Sequence, residues 1–445
     1  MPPKTKNPAL AGKPSYLFSG VDPHAGLPWT QVQPIKTKTK TDDAAPTTGW
    51  CTDEWDCSLA GSCGSDGLCV CDSGWQGPTC AMVAFDPAPS IGNAFRPGHG
   101  FTTWGGSPIQ ADNHSMYYLF ASVNVHGTLS DWWNTSVIVT ASSTSAAGPY
   151  HWDRKTVTIG PKLNNHAVRP SSHIDTHQWD SVAVQNPVVV RLKKGAGFVL
   201  YYAGSNLTTP HYGMNNSAIM AAYATSLDGP WETSEQPVLV PFTSPESWEA
   251  GSVCNPAAHV HDDNSVTLAY RGYWDNNGVA FAWAPSWRGP FRRLYGGSGL
   301  FAERPTLEDP FLISSPRGFH VLMHYFKADN CSNTAGGRPC ALVGNHAFSR
   351  AAPRPSADGA SGADGTDTEF FLAPNRGAAA GGYGLDVAFA NGTAARFSHR
   401  EEPKMLLEWS EAAGDYVPTH LFNVVVEKQK APADGWAHLE VATVL

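Results

Sequence analysis

The chain is 445 residues long with 42% hydrophobic and 16% charged residues, a globular composition rather than a disordered one. Its net charge of -9, from 30 Lys and Arg against 39 Asp and Glu, disfavours a nucleic-acid partner. No run of about eighteen apolar residues is present, which excludes a transmembrane helix. With 43 Gly and 35 Pro there are many turns, and 16 Trp, 14 Tyr and 19 Phe add flat apolar surfaces, so short strands are expected over long helices. In chain order, residues 1–49 come first, rich in Pro, Lys and Thr and ending in Lys36-Thr37-Lys38-Thr39-Lys40-Thr41. They read as a flexible leader or linker. Met1-Pro2-Pro3-Lys4 opens on no apolar h-region, so no signal peptide is visible.

Residues 50–80 hold six of the nine cysteines: Cys51, Cys57, Cys63, Cys69, Cys71 and Cys80. Gly, Ser, Asp and Thr dominate the segment, which cannot bury a useful apolar core and therefore needs disulfides. Six cysteines leave fifteen connectivities open. No His lies in the segment, which argues against zinc. One residue separates Cys69 from Cys71, and Gly74-Trp75-Gln76-Gly77 precedes Cys80; in this the segment resembles an epidermal-growth-factor-like module. The resemblance implies the pairs Cys51–Cys63, Cys57–Cys69 and Cys71–Cys80. The calcium-binding variety carries acidic residues before its first cysteine, and Thr47-Thr48-Gly49-Trp50 offers none. Cys331 and Cys340 flank a Gly-rich loop and read as a fourth pair, while Cys254 reads as a buried thiol. Disulfides imply the secretory pathway or the extracellular space. Six Asn-x-Ser/Thr sequons agree, at Asn113, Asn134, Asn206, Asn215, Asn330 and Asn391. The module also offers a surface for a protein partner.

Residues 81–445 repeat internally. A polar residue, a proline and an apolar residue recur as Ser107-Pro108-Ile109, Asn186-Pro187-Val188, Asn255-Pro256-Ala257 and Asp309-Pro310-Phe311, with Glu402-Pro403-Lys404 as a fifth copy. A strand follows each of the middle three, as in Gly197 to Tyr202, Ser265 to Tyr270 and Gly318 to Met323. A third strand comes next, then a Gly-Pro-aromatic turn: Gly148-Pro149-Tyr150, Gly229-Pro230-Trp231 and Gly289-Pro290-Phe291. Proline suits the first residue of a strand, where its missing N–H costs little. Five copies of a four-stranded unit predict an all-β fold, a five-bladed β-propeller over 81–445 with the small disulfide-rich module at 50–80.

The repeat resembles the propeller glycoside hydrolases of the family 43 type and the related arabinanase, fructanase and neoagarobiose-hydrolase groups. That resemblance implies three carboxylates at the starts of innermost strands: a base, a pKa-modulating acid and a general acid. Here the first three repeats begin with Ser107, Asn186 and Asn255, so the family's base has no carboxylate to occupy in the first blade. Blade four offers Glu308-Asp309 and blade five Glu401-Glu402. Innermost strands converge on the axis, so these acids are expected to share one funnel. Crowded carboxylates move apart in pKa, leaving one protonated and one ionised. Inverting hydrolysis needs that division, at about 6.5–9.5 Å. Asp309 and Glu402 are the leading catalytic candidates, with Glu308 and Asp180 beside them. Asp180, Glu249 and Glu303 stand six residues before the motif residues, the first two after a Trp, on the rim or in turn-capping roles.

Substrate-binding candidates are Glu249, Glu401, Arg271, Arg400, His324, His346, Trp104 and Trp179. Trp132, Trp133, Trp248 and Trp274 also lie near predicted loops, where aromatic faces pack on sugar C–H surfaces or between blades. His324 and His346 could bind hydroxyls, act as acid or ligate a central metal. No cofactor is expected, though the funnel leaves room for a structural calcium. His173, Asp175 and His177 lie in a loop, where His-x-x-x-His spacing does not mark a metal site. The expected function is a secreted glycosidase acting on plant or algal wall polysaccharide of arabinofuranoside or xyloside type. The alternatives are a non-catalytic carbohydrate-binding or adhesion protein, and a transglycosidase.

Overall fold

The structure, a computed structural model, describes residues 51–89, 94–98, 100–125, 132–160, 179–180, 182–205, 217–242, 244, 247–272, 278–297, 299, 307–325, 344–355, 368–373, 382–397, 399–426 and 437–443. His173, Asp175, His177, Trp274, Glu303 and the pair Cys331 and Cys340 lie outside them.

The cysteine-rich segment closes around the disulfides Cys51–Cys63, Cys57–Cys69 and Cys71–Cys80, the pairing that the resemblance implies. Two small hairpins carry it, β1 (Gly61–Cys63) with β2 (Cys69–Cys71) and β3 (Trp75–Gln76) with β4 (Met82–Val83). Cys51, Cys57, Ala60 and Cys80 are its own core.

Five antiparallel sheets follow, each a meander of consecutive strands. The first has β5 (Phe101–Gln110), β6 (Tyr117–Val125), the four-residue helix α1 (Trp132–Thr135) and β7 (Ser136–Ser143). The second has β8 (Ala183–Arg191), β9 (Phe198–Ser205), β10 (Ser217–Ala224) and β11 (Glu232–Thr233). In the third are β12 (Cys254–Val260), β13 (Val266–Arg271), β14 (Val279–Ala284) and β15 (Arg292–Arg293); in the fourth, β16 (Leu307–Ser314), β17 (Phe319–Tyr325), β18 (Gly344–Ser349) and β19 (Phe371–Leu372). After a hairpin of β20 (Asp386–Ala388) and β21 (Ala394–Arg396), the fifth has β22 (His399–Ser410), β23 (Asp415–Val426) and β24 (Ala437–Thr443). The innermost strands β5, β8, β12, β16 and β22 neighbour one another in that order, and β22 returns to β5, which closes the propeller ring.

Three of the sheets have the four strands expected of a blade. The first and fifth have three among the described residues. In the first, isolated bridges of Ile159 to Ile138 and His151 to Ser142 stand where the outer strand was expected. All three Gly-Pro-aromatic turns contain a cis peptide, and those at Gly229 and Gly289 lead into β11 and β15.

Each sheet is wedged between two others, so its strands are apolar on both faces. In β9, Val199 and Tyr201 join a core shared with the third sheet's Leu268 and Tyr270. The alternate residues Leu200 and Tyr202 join Phe120 and Ile138 of the first sheet. The period of two that sends side chains to opposite faces thus feeds two inter-blade cores at once.

The disulfide segment packs on the fourth sheet. Leu59 and Ala81 bury against Phe348 and Ala373, and Trp55 meets Phe371 edge-on at 5.1 Å. Trp75 stacks on His346 at 4.6 Å and lies 4.9 Å from His320. Arg317 reaches Asp72 at 2.6 Å, and Arg350 pairs with Glu54.

Candidate active site

Each innermost strand slips register against its neighbour near its axial end, between Thr103 and Gly106, Gln185 and Val188, Cys254 and Ala257, Glu308 and Phe311, and Glu401 and Lys404; the fifth slips again between Leu406 and Leu407. In four of the strands the two slipped residues are a polar residue and a proline. Proline cannot donate to the ladder, so the bulge forms there and re-aims the preceding side chain. Asn186, Asn255, Asp309 and Glu402 all take left-handed backbone, with φ of 49°, 48°, 54° and 51°. Non-glycine residues hold such angles at a cost of roughly 1–3 kcal/mol and cluster at functional sites.

The first strand departs from expectation. Its bulge is Trp104-Gly105, three residues before Ser107-Pro108, and Gly105 takes the left-handed turn at φ 81°. Ser107 sits in the regular ladder opposite Phe120, where its Oγ accepts a hydrogen bond from Val189 N at 3.1 Å. A Cβ on Gly105 would lie 3.3 Å from Glu402 Cδ, so the first blade contributes close approach where the others contribute a polar side chain.

The four polar bulge residues meet on the axis. Glu402 Oε1 accepts from Asn186 Nδ2 at 2.5 Å and from Asn255 Nδ2 at 3.3 Å, and Glu402 Oε2 accepts from Lys404 Nζ at 3.2 Å. Asn255 Nδ2 also donates to Asp309 Oδ1, so one amide bridges the two leading acids. The bridged oxygens are therefore no more than about 6 Å apart, two hydrogen-bond lengths. Beside them, Glu308 pairs with Arg271 and faces His324 Nδ1 at 3.0 Å. His324 lies 3.6 Å from Asp309 and, through Nε2, 3.8 Å from Glu401. Glu401 also meets His399 Nδ1 at 2.8 Å, and His399 is 38% exposed.

Burial and environment divide these acids. Burial, reinforced by the charges of Glu402 and Glu308, raises Asp309 well above the ordinary carboxylate range. Burial also pushes Glu308 up, but Arg271 and the His324 hydrogen bond outweigh it and hold Glu308 at about 2. Burial lowers His324, and Glu401, Glu308 and Asp309 reverse that to about 9. Glu402 accepts three hydrogen bonds, from Asn186, Asn255 and Lys404.

The remaining candidates fall elsewhere. Asp180 and Glu249 occupy equivalent places behind the ring: Tyr202 donates to Asp180 at 3.3 Å and Tyr270 to Glu249 at 2.8 Å. Glu249 also takes Arg293 Nε at 2.7 Å, Arg293 Nη2 at 2.6 Å and the Phe242 N–H at 2.8 Å, an arrangement that anchors a loop. Trp179 is buried in the core shared by the first two sheets, and Trp104 is half-buried beside the first sheet's core. Arg400 bonds Asn423 Oδ1 at 2.9 Å and the Gly384 carbonyl at 2.8 Å. His346 lies under the disulfide segment, 3.0 Å from His320 Nδ1. Sequence reasoning missed Lys404 and the two Asn bridges; the signal was present, since an amide at the register of an acid is a donor placed to bind one. Cys254, read as a buried thiol, is buried directly before Asn255 and is pushed up to about 12 by burial, with the neighbouring acids adding to the rise and Arg271 opposing it.

Glu308, Asp309, His324 and Glu401 present ligand atoms within 4.8 Å of one another. Calcium takes about six to eight oxygen ligands. Three carboxylates and one imidazole, with a guanidinium already on Glu308, do not fit it.

The axial acids and the ring of inner strands define a class, a β-propeller with paired carboxylates in a closed polar centre. No protein-family model matches the chain, and no curated protein matches it. Among solved structures it is similar to Zg3597, a family 117 glycoside hydrolase from the marine bacterium Zobellia galactanivorans. The identity is 15% and the TM-score 0.51, over 82% of this chain and 90% of that one. It is also similar to the catalytic domain of the Coprinopsis cinerea GH62 α-L-arabinofuranosidase, at 12% identity and TM-score 0.49, over 81% and 97%. At such identities the likeness to Zg3597 gives the fold, that of a propeller glycoside hydrolase.

Proposed function

We propose that this protein is a secreted glycoside hydrolase with its chemistry at the propeller axis. The substrate class is an arabinofuranoside- or xyloside-type unit of plant or algal wall polysaccharide or oligosaccharide. In this reading residues 50–80 are an epidermal-growth-factor-like module and 81–445 a five-bladed propeller. One arrangement carries the proposal: two buried carboxyl groups, Asp309 and Glu402, are bridged by the Asn255 amide, and burial with the charges of Glu402 and Glu308 raises Asp309 well above the ordinary carboxylate range. A glycosidic bond needs that pair, an acid for the leaving oxygen and a carboxylate for water or the anomeric carbon. In this reading Asp309 is the acid and Glu402 its carboxylate partner. Glu308 and His324 orient Asp309, and Lys404 and Asn186 orient Glu402. The Asn255 bridge holds the pair closer than the about 6.5–9.5 Å of inverting enzymes. Inversion through this pair therefore requires substrate to open the bridge.

Burial favours a second reading. Asp309 is 3% and Glu402 1% exposed, and two of the axial positions are Asn. A non-catalytic carbohydrate-binding propeller would keep this polar centre as structure. The test is hydrolysis of a panel of aryl glycosides and arabinoxylan by the purified protein. Cleavage that depends on Asp309 and Glu402 supports the enzyme; binding of oligosaccharides without cleavage of any of them replaces it with the lectin.

A further inference from the structure

The surface far from the axial acids carries a second feature. Trp409, at the outer end of β22, is 36% exposed, and no other Trp, Tyr or Phe among the described residues is so open. It is nonetheless held in place. Its N–H donates to Gln110 Oε1 at 3.0 Å and its indole Nε1 to Glu411 Oε1 at 3.0 Å. Tyr416 abuts it edge-on at 5.5 Å. His114 lies beside the ring at 6.3 Å, with planes 25° apart. His114 is the middle residue of the sequon Asn113-His114-Ser115, on the exposed β5–β6 turn.

In that turn Asn113 Oδ1 accepts from Ser115 N at 3.1 Å and from Ser115 Oγ at 2.9 Å. The side-chain nitrogen donates to no described residue, so a sugar attached to it disturbs no hydrogen bond. Asn391 repeats the pattern with Thr393, at 3.0 and 2.6 Å, but has no exposed aromatic beside it. Asn134 is in α1, and Asn206, Asn215 and Asn330 lie outside the described residues.

We propose that Asn113 carries an N-linked glycan and that the first sugar of this glycan packs on Trp409. The inference rests on the secretory-pathway reading above. In the transfer, the Asn113 nitrogen bonds C1 of a lipid-diphosphate-linked oligosaccharide; the C1–O bond breaks, the lipid diphosphate leaves with the electron pair, and one amide proton passes to the transferring enzyme. The turn then holds the sugar next to a fixed indole, whose face suits the C–H side of a pyranose.

The full chain, produced behind a secretion leader in a eukaryotic cell, tests this by peptide mass before and after peptide-N-glycosidase. Asn113 is expected as Asp after the enzyme, and Asn113→Gln and Ser115→Ala each abolish that conversion. Trp409→Ala is expected to lower Tm by about 1–2 °C more in the glycosylated protein than in the Asn113→Gln background, the effect of roughly one sugar contact. Secreted protein with its three disulfides intact and Asn113 unmodified overturns the proposal. An equal Tm loss in both backgrounds overturns the packing on Trp409. If the secreted protein instead shows Cys51 to Cys80 as thiols, the secretory reading itself fails, and the disulfide map separates that result from the others.

Discussion

His320 and His346 make the stability of this protein acid-sensitive at a defined place. Both are 0% exposed, between the fourth sheet and Trp75. Their hydrogen bonds form a chain: Ser315 Oγ to His320 Nε2 at 2.9 Å, His320 Nδ1 to His346 Nε2 at 3.0 Å, and His346 Nδ1 to the Ala81 carbonyl at 3.2 Å. The carbonyl can only accept, so each imidazole is neutral, donating onward and accepting from behind. An extra proton on either ring sets two N–H groups against each other. Burial lowers His320 to about 3, with Asp72 offsetting a little, and burial and the neighbouring His320 lower His346 well below the ordinary imidazole range. The unfolded imidazole takes its proton near pH 6.5, so the unfolded chain binds more protons as pH falls. Stability is therefore lost from about pH 6.5 down towards 3. Between pH 7 and 5 His320 alone accounts for about 2 kcal/mol. Urea unfolding at both pH values, on the native protein and on His320→Gln, measures this. The amide can accept from Ser315 and donate to His346 but does not titrate, so the variant should lose about 2 kcal/mol less on acidification. Equal losses in the two proteins would show that the histidine chain is not what responds to acid.

Five further outcomes follow from the axial cluster. Asp309→Asn and Glu402→Gln should each cut hydrolysis about 100-fold or more on whichever glycoside the panel identifies. Asp309→Asn should scarcely move Tm, because one neutral group replaces another. Arg271→Met leaves Glu308 charged and buried without its partner and should cost about 3–5 kcal/mol in denaturant unfolding; a loss near zero would show that the pair is not formed. His324 is raised to about 9, so its contribution is complete below pH 6.5 and disappears as pH climbs to 9. An alkaline stability loss of ~3 kcal/mol, absent in His324→Gln, is the expected signature. Gly105→Ala combines φ 81° with a Cβ 3.3 Å from Glu402 Cδ, and should destabilise by roughly 1–3 kcal/mol in the same assay.

The proline repeat exposed the architecture because in four of the five inner strands a proline stands at the bulge, where it withholds a ladder donor. Asn186, Asn255, Asp309 and Glu402 could be aligned from sequence for that reason. The first strand makes the same bulge with glycine, which tolerates the left-handed turn without any proline after it, and so Ser107-Pro108 was a decoy. The pattern Trp104-Gly105-Gly106 was the available signal. Pairing at the axis was less readable. Whether an acid meets Lys404, an amide or another acid depends on which blades adjoin, and a repeat gives the order of blades without the side-chain directions between them. Glu249 shows the same gap: its tyrosine and arginine partners, Tyr270 and Arg293, are 21 and 44 residues away.

Every sheet here is built from consecutive strands, and among the described residues the ring is joined where β22 meets β5 with no strand of the first sheet exchanged into the fifth. Tyr117 and Glu408, which share a 2.6 Å hydrogen bond at that seam, are 291 residues apart. Bringing such distant segments together carries a large loop-closure entropy that nearest-neighbour meanders do not. The blades can therefore fold one after another as the chain emerges, and the seam is the step that waits for the last of them. Until it closes, the facing sides of the first and fifth sheets, Leu119 and Val123 against Leu406 and Phe422, are bare apolar surface. That interval is when this chain is most exposed to association with its own copies, and it makes folding yield a property of the seam more than of any blade.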